Sequence, residues 1–265
     1  MTMLRRTWLA GFAAAAVFLA GCATAPTGPT AQERAALAPT GKLRVGVYPD
    51  SPTSLLKDKS GKKVGVAYEL GQEMARRMGV PFEAVEYRRI AEVVDAMKKG
   101  DVDFTFTNAT AARAQILSFT PMMLHLELGY LVGAGSPLKT IADIDKPNMK
   151  IAVIEGGTTA GILAREYKSA KVVPVGSPKA AGEQLAQRQV DAFTTNKGML
   201  FELADGMPGA RVLDGRWGLE NMAIGIPKGR EAGLPYLNRF AQDVRSDGTL
   251  RAIVGRAGLR GTVEP

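Results

Sequence analysis

The sequence is poor in the residues that build metal and redox centres. Its 265 residues include one cysteine, Cys22, and one histidine, His125. A single cysteine cannot form an intrachain disulfide, and these two residues are too few for a Cys/His metal cluster. His125 lies in an apolar stretch, where a packed structural role is the default interpretation. Disulfide frameworks and zinc-finger modules are therefore excluded, and we expect no metal.

Phosphate-binding motifs and basic stripes are missing as well. Neither a Walker loop nor a G-x-G-x-x-G fingerprint occurs, so we expect no nucleotide or other cofactor. The formal net charge is +8, but the basic residues occur in short scattered pairs without interleaved aromatic residues. This pattern disfavours nucleic-acid binding.

The sequence has one long apolar run, and it lies at the N-terminus. Arg5 and Arg6 precede the apolar residues 8–20, and the run ends in Leu-Ala-Gly-Cys at residues 19–22. This arrangement is typical of a secretory signal, and its last four residues resemble the bacterial lipobox. We therefore expect a signal peptide over residues 1–21, with Cys22 as the lipidated residue that anchors the protein to a membrane. The alternatives are a soluble secreted protein and a buried structural cysteine.

The segment that follows differs in composition from the rest of the chain. Residues 22–40 contain Thr, Pro, Gly and Ala with few large apolar residues. Such a composition predicts a flexible tether that holds a folded domain away from a lipid surface. We expect the fold to begin at about residue 41.

Strand and helix patterns alternate from Leu43 onward. The predicted strands cover residues 43–48, 80–85, 102–107, 129–132, 150–154, 172–173, 190–194 and 222–226. The predicted helices cover residues 65–78, 91–99, 159–168, 178–188, 236–247 and 250–257. Two α/β units, each a parallel sheet covered by helices, fit this order.

Two such units predict a crevice at the carboxyl ends of the strands, where ligands bind in open sheets. The residues that follow the predicted strands are therefore candidates for ligand binding. They are Tyr48, Asn108, Thr110, Arg113, Glu155, Thr158, Thr159 and Asn196.

Short motifs occur in a specific order along residues 41–260. They are KLRVGV at 42–47, VGVAYEL at 64–70, GDVDF at 100–104, TAAR at 110–113, FTP at 119–121, GGTT at 156–159, VDAF at 190–193, IGIPKG at 224–229 and DGTL at 247–250. In order and spacing they resemble family 3, the amino-acid type, of the periplasmic solute-binding proteins of ABC transporters.

The resemblance implies a two-lobed α/β fold, the type II periplasmic-binding-protein fold. Each lobe would be a mostly parallel sheet flanked by helices, and two crossover hinge strands would join the lobes. Residues 41–128 and 227–265 would form lobe 1, and residues 129–226 would hold the hinge segments and lobe 2. The crossings would lie near residues 129–131 and 223–226, and lobe closure would trap the ligand.

The resemblance also implies roles for individual residues. Arg113 matches the arginine that binds the ligand carboxylate in this family, a task suited to a guanidinium fork. Thr158 and Thr159 match the carboxylate donors of the second lobe, at a helix N-terminus that favours an anion. Without the resemblance, Arg113 would be interpreted as a solvated surface residue and the threonines as a plain helix cap.

Several positions depart from the family pattern, and two of them bear directly on the ligand. Asn196 occupies the place of an aspartate that holds the ligand's α-ammonium group, and Ile90 occupies the place of an aromatic lid. A neutral amide supplies no counter-charge. We therefore expect that the ligand is not an ordinary zwitterionic amino acid, unless another acid replaces the missing one. The candidates are carboxylic acids with a neutral polar or aromatic body.

We expect an extracytoplasmic, lipid-anchored monomer that delivers a small carboxylate-bearing solute to an ABC transporter permease. One alternative is an enzyme similar to cyclohexadienyl dehydratases, with Glu155 as a candidate acid. Another is a sensory lipoprotein that binds its ligand without a transporter.

Overall fold

The computed structural model describes residues 28–263, so the predicted signal peptide and Cys22 lie outside the described residues. The elements up to the first crossing are α1 (Ala31–Leu37), β1 (Leu43–Val47), β2 (Leu56–Lys57), β3 (Lys63–Val64), α2 (Val66–Met78), β4 (Phe82–Glu86), α3 (Ile90–Lys99), β5 (Thr105–Asn108), a 3-10 turn (Arg113–Gln115) and β6 (Leu117–Phe119). Together with the C-terminal elements below, they form lobe 1.

The first crossing strand, β7 (Leu124–Val132), leads into lobe 2. This lobe contains a 3-10 turn (Ile141–Asp143), β8 (Lys150–Ile154), α4 (Thr158–Glu166), β9 (Lys171–Val175), α5 (Pro178–Ala186), β10 (Ala192–Asn196), α6 (Lys197–Asp205) and β11 (Arg211–Val212). The second crossing strand, β12 (Gly218–Pro227), leads back to a 3-10 turn (Glu231–Gly233), α7 (Leu234–Ser246), α8 (Thr249–Arg256) and β13 (Thr262–Val263).

Lobe 1 is built on the parallel pair of β1 and β4, which a parallel bridge between Val45 and Phe104 links to the chain just before β5. Helix α2 covers this sheet because Val66, Leu70, Met74 and Met78 recur on one buried face. The helix ends at Gly79, whose left-handed φ of 64° is the conformation that glycine adopts without steric cost.

Lobe 2 is built on the parallel strands β9, β8 and β10, with β10 next to β7. Successive side chains of a strand point to opposite faces, so each strand contributes to two cores. Leu131 and Phe193 pack in one core, whereas Tyr130 and Ala192 pack in the other. The helices on both faces follow from this double-sided apolar pattern.

The crossing strands β7 and β12 lie side by side and run antiparallel. Residues 218–222 of β12 pair with residues 124–128 of β7. Beyond this stretch, β12 pairs with β5 of lobe 1 and β7 pairs with β10 of lobe 2, which makes one mixed nine-stranded sheet. Strand β7 begins at residue 124 and strand β12 at residue 218, so both crossing strands start a few residues before the predicted crossings. Local sequence patterns do not reveal this, because it depends on the pairing of the two strands with each other.

The prediction of a flexible tether over residues 22–40 is wrong for its second half, because α1 folds there. The Thr30 hydroxyl accepts the Glu33 N–H, and the Glu33 carboxylate accepts the Thr30 N–H in return. Glu33 also pairs with Arg239 of α7, and Leu37 is fully buried in the core of lobe 1. A capping box, an ion pair and one anchoring apolar side chain hold this short helix in place.

Candidate functional site

A cleft between the two lobes encloses a cavity of about 60 Å³. A volume of this size holds roughly four to six water-sized groups. Six of the predicted binding residues line the cleft, namely Tyr48, Asn108, Arg113, Thr158, Thr159 and Asn196. The carboxyl ends of the strands thus do converge there.

Arg113 enters the cleft from the 3-10 turn that follows β5. Its backbone N–H donates to the Thr110 hydroxyl over 3.2 Å, and its Nη1 donates to the Thr107 hydroxyl and to the Asn108 carbonyl. The side chain is buried, and burial lowers the pKa of the guanidinium, while the negative charge of Glu220 opposes this shift. An arginine remains charged at neutral pH even when buried, so the cleft holds a fixed cation.

Thr158 and Thr159 form the first turn of α4 and line the same cavity as Arg113, from lobe 2. The Thr158 hydroxyl donates to Oε1 of Glu220 over 3.0 Å and accepts from Nδ2 of Asn108 over 3.3 Å. No side chain caps the start of α4, so its first N–H groups point into the cleft with the positive end of the helix dipole.

Asn196 has two structural partners. Its Oδ1 accepts the Met199 N–H over 3.1 Å and caps α6, and its Nδ2 donates to Oε2 of Glu220 over 3.1 Å. The amide oxygen of Asn196 and one of its two N–H groups are therefore already used within the protein.

Glu220 is a cleft residue that the sequence analysis missed. It lies on β12, is 8% exposed, and accepts one hydrogen bond on each carboxylate oxygen, from Thr158 and from Asn196. The sequence analysis left open that another acid replaces the missing aspartate, and Glu220 is a buried acid beside Asn196 in this cleft. The alternation of Leu219, Glu220 and Asn221 indicates a strand. The local sequence does not indicate, however, that the face of this strand that carries Glu220 borders a cleft.

Tyr48 and several apolar side chains complete the walls. The Tyr48 hydroxyl accepts from Ser51 over 3.4 Å, and its backbone N–H donates to the Ser54 hydroxyl over 2.8 Å. Burial raises the pKa of Tyr48, so the phenol is neutral and available as a donor. The apolar wall consists of Ile90, Ile154, Met199 and Met222.

Two predicted binding residues do not line the cavity. Thr110 uses its hydroxyl to hold the backbone of Arg113, so it positions a cleft residue. Glu155 lies at the cleft mouth, more than half exposed, where its carboxylate pairs with Arg89 at the start of α3. Glu155 therefore lies at the edge of the cleft and is not among the residues that line the cavity.

The lobes are in contact at this mouth. Besides the Arg89–Glu155 pair, Gly156 of lobe 2 approaches Ala91 of α3 so closely that a Cβ at position 156 would lie 2.6 Å from the Cβ of Ala91. Gly156 also has a φ of 72°, which favours glycine. The structure is therefore a closed arrangement of the two lobes.

Two other features, a metal site and a membrane-spanning helix, are absent from the described part of the chain. Within residues 28–263, no cluster of His, Cys, Asp and Glu side chains is arranged to hold a metal ion. In the same range, no helix combines the length and the apolar character that a bilayer crossing demands.

The sequence pattern of the bacterial extracellular solute-binding proteins, family 3, matches residues 43–257, and the chain belongs to this family. Among curated relatives, it is 22% identical over 219 residues to the ABC transporter glutamine-binding protein GlnH of Bacillus subtilis (strain 168). That match covers 81% of this chain and 80% of the relative.

Two solved structures show the same fold. The solute receptor for L-cysteine of Neisseria gonorrhoeae superposes with a TM-score of 0.75 at 23% identity, over 84% of this chain and 92% of that one. The ancestral amino acid-binding protein AncCDT-1, described as a precursor of cyclohexadienyl dehydratase, superposes with a TM-score of 0.72 at 23% identity, over 82% and 96%. The predicted type II periplasmic-binding-protein fold is confirmed, and the chain is an extracytoplasmic solute-binding protein.

Proposed function

We propose that this protein is the substrate-binding component of an ABC transporter and that it captures a small carboxylate-bearing solute by lobe closure. Arg113 binds the carboxylate from lobe 1, while Thr158 and Thr159 donate to it from the N-terminus of α4 in lobe 2. Closure then completes an anion site whose two halves belong to different lobes. Tyr48 and Asn108 supply further polar contacts, and the apolar wall contacts the body of the solute.

One observation carries this proposal, namely the buried guanidinium of Arg113 in the interlobe cleft. None of its nitrogen atoms lies within 4.0 Å of a carboxylate oxygen of the described residues. Buried charges in proteins are paired, so a buried arginine without an ion pair indicates that its anion comes from a ligand.

A ligand screen tests the proposal. The full chain, purified in detergent, is subjected to thermal unfolding with small carboxylic and amino acids. A specific ligand at a hundred times its Kd stabilises the folded state by about 2.7 kcal/mol. A carboxylate-bearing solute should raise the melting temperature, while its amide or ester should not. Equal shifts with acid and ester would contradict the carboxylate site.

We further propose that Cys22 is lipidated and anchors the protein to a bacterial membrane. Since α1 is capped at Thr30, only the seven residues 23–29 separate the anchor from folded structure. Seven residues span at most about 25 Å. The lobes would thus lie close to the membrane, where a transporter permease can receive the solute.

The enzyme alternative is supported by Glu220 instead of Glu155. A carboxyl group in an enclosed cleft beside Arg113 is a suitable general acid for loss of water and carbon dioxide from a prephenate-like substrate. Incubation with prephenate or arogenate and detection of the aromatic product tests this activity. We expect binding without turnover, and product formed in proportion to enzyme would favour the alternative.

A further inference from the structure

Charged side chains that are buried in the described residues fall into two groups. The buried charged residues are Glu33, Asp103, Arg113 and Glu220. Glu33 pairs with an arginine of α7, and Asp103 pairs with two arginines of lobe 1. Arg113 and Glu220 have no ion pair within 4.0 Å, and they are the two that line the cleft. The unpaired buried charges thus coincide with the ligand site.

Arg113 and Glu220 carry opposite charges and line the same cavity without forming an ion pair. Each lies within electrostatic reach of the other, but Nη1 of Arg113 is held by Thr107 and by the Asn108 carbonyl. The oxygens of Glu220 accept from a hydroxyl and an amide, which stabilise a carboxylate but supply no opposite charge. A ligand in this cavity can therefore contact both charges if it carries a carboxylate for Arg113 and a cation for Glu220.

We propose that Glu220 binds the ammonium group of a zwitterionic ligand, an α-amino acid whose carboxylate contacts Arg113. This inference rests on the proposed solute-binding function, and what it adds is the position of the counter-charge, at Glu220 instead of at residue 196. One carbon atom separates the two charged groups of an α-amino acid, so a single compact molecule can contact both side chains. The resulting site places the counter-charge on the crossing strand β12.

This assignment also explains the asparagine at position 196. Nδ2 of Asn196 lies 3.1 Å from Oε2 of Glu220, so an aspartate at 196 would place two carboxylates at nearly this distance. Two carboxylates that share a site repel each other, and one of them becomes protonated. Asn196 instead donates a hydrogen bond to Glu220 and keeps it as the only buried acid among the described residues that line the cleft.

The test compares each amino acid with its deaminated counterpart, such as L-phenylalanine with 3-phenylpropionate and L-alanine with propionate. The standard L-amino acids and these carboxylates are titrated calorimetrically into the full chain. For the best ligand, we expect the amino acid to bind at least about thirty-fold more tightly than its deaminated analogue. Equal affinities would overturn the role of Glu220 and leave the carboxylate site standing. Absence of binding by every compound would contradict the solute-binding proposal and this inference together.

Substitutions of Glu220 and Asn196 test which residue causes the preference for the amino acid over its deaminated analogue. In Glu220→Gln, which keeps the size of the side chain, the preference for the amino acid should fall to near one, with the deaminated acid bound within about threefold of wild type. The double variant Glu220→Gln/Asn196→Asp returns an acid to lobe 2, and aspartate caps helices as well as asparagine does. It should recover a preference of at least about tenfold.

Glu127→Gln is the matched control, because Glu127 lies on the other crossing strand and pairs with Lys197 and Arg216 outside the cavity. Its preference should equal that of wild type. An unchanged preference in Glu220→Gln, or an equal loss of both compounds, would overturn the inference. A preference that stays near one in the double variant would likewise contradict it.

Discussion

Removal of the Arg113 side chain should abolish most of the ligand affinity. The side chain is 9% exposed, and the groups left around the ligand carboxylate in Arg113→Ala are neutral, namely Thr107, Thr158 and Thr159. Loss of one partner of a buried charge pair costs about 2–5 kcal/mol, which corresponds to roughly thirty-fold to several thousand-fold weaker binding. Arg113→Lys should also bind poorly, because a point charge cannot form the two parallel hydrogen bonds of a guanidinium.

Arg113→Ala should not lower the stability of the ligand-free protein. Without ligand, Arg113 is a buried cation without an ion pair, and such a charge does not stabilise the folded state. We therefore expect the ligand-free melting temperature of Arg113→Ala to equal or exceed that of wild type. Calorimetric titration with the best ligand measures the affinity, and thermal unfolding measures the stability.

An exposed arginine provides the control for this experiment. Arg76 lies on the outer face of α2, with its side chain 70% exposed and paired with Glu73. Arg76→Ala should leave the affinity unchanged. If Arg113→Ala also binds the ligand within about threefold of wild type, in place of the expected loss of roughly thirty-fold or more, the assignment of Arg113 as carboxylate anchor is refuted.

Two further predictions concern the anchor and lobe closure. Cys22→Ala should accumulate as unprocessed precursor or leave the membrane fraction, as measured by fractionation and mass spectrometry of the N-terminus, and unchanged processing and retention would contradict lipidation. Gly156→Ala should weaken ligand binding by about tenfold or more, because its Cβ would overlap with helix α3 in the closed arrangement. Gly229→Ala is the control, since Gly229 has a similar φ of 84° and no atom within 4 Å of an added Cβ. Both variants should lose similar stability in the absence of ligand, and equal affinities of the two would contradict the closure argument.

Much of the fold was predictable because its elements carry local signals. The buried stripe of α2 and the glycine that ends it are both readable from the sequence. The strands of lobe 2 read as short β-branched runs because both of their faces are buried. The capping box that begins α1, with Thr30 three residues before Glu33, is an equally local signal. It was overlooked because the surrounding composition resembles that of a linker.

The candidate site was predictable where it depends on strand ends. Arg113 follows β5, Thr158 begins α4 shortly after β8, and Asn196 ends β10. The ends of parallel strands bring such positions to one edge of a sheet. The ends of strands are visible in the sequence, so the cleft could be proposed from the sequence alone. The sequence could not show which side chains point into the cleft, and Glu155 points outward to Arg89 instead.

The sequence by itself thus determined the order of the elements, the two-lobed class and the cation of the cleft. Only the tertiary structure decided the charge that faces it. Glu220 lies 107 positions after Arg113 in the chain, within a strand whose alternation is the same whether its polar face meets solvent or a cleft. Which face is enclosed depends on how β12 pairs with β7 and β5 and on how lobe 2 closes over them. These are long-range contacts, and local sequence patterns do not encode them.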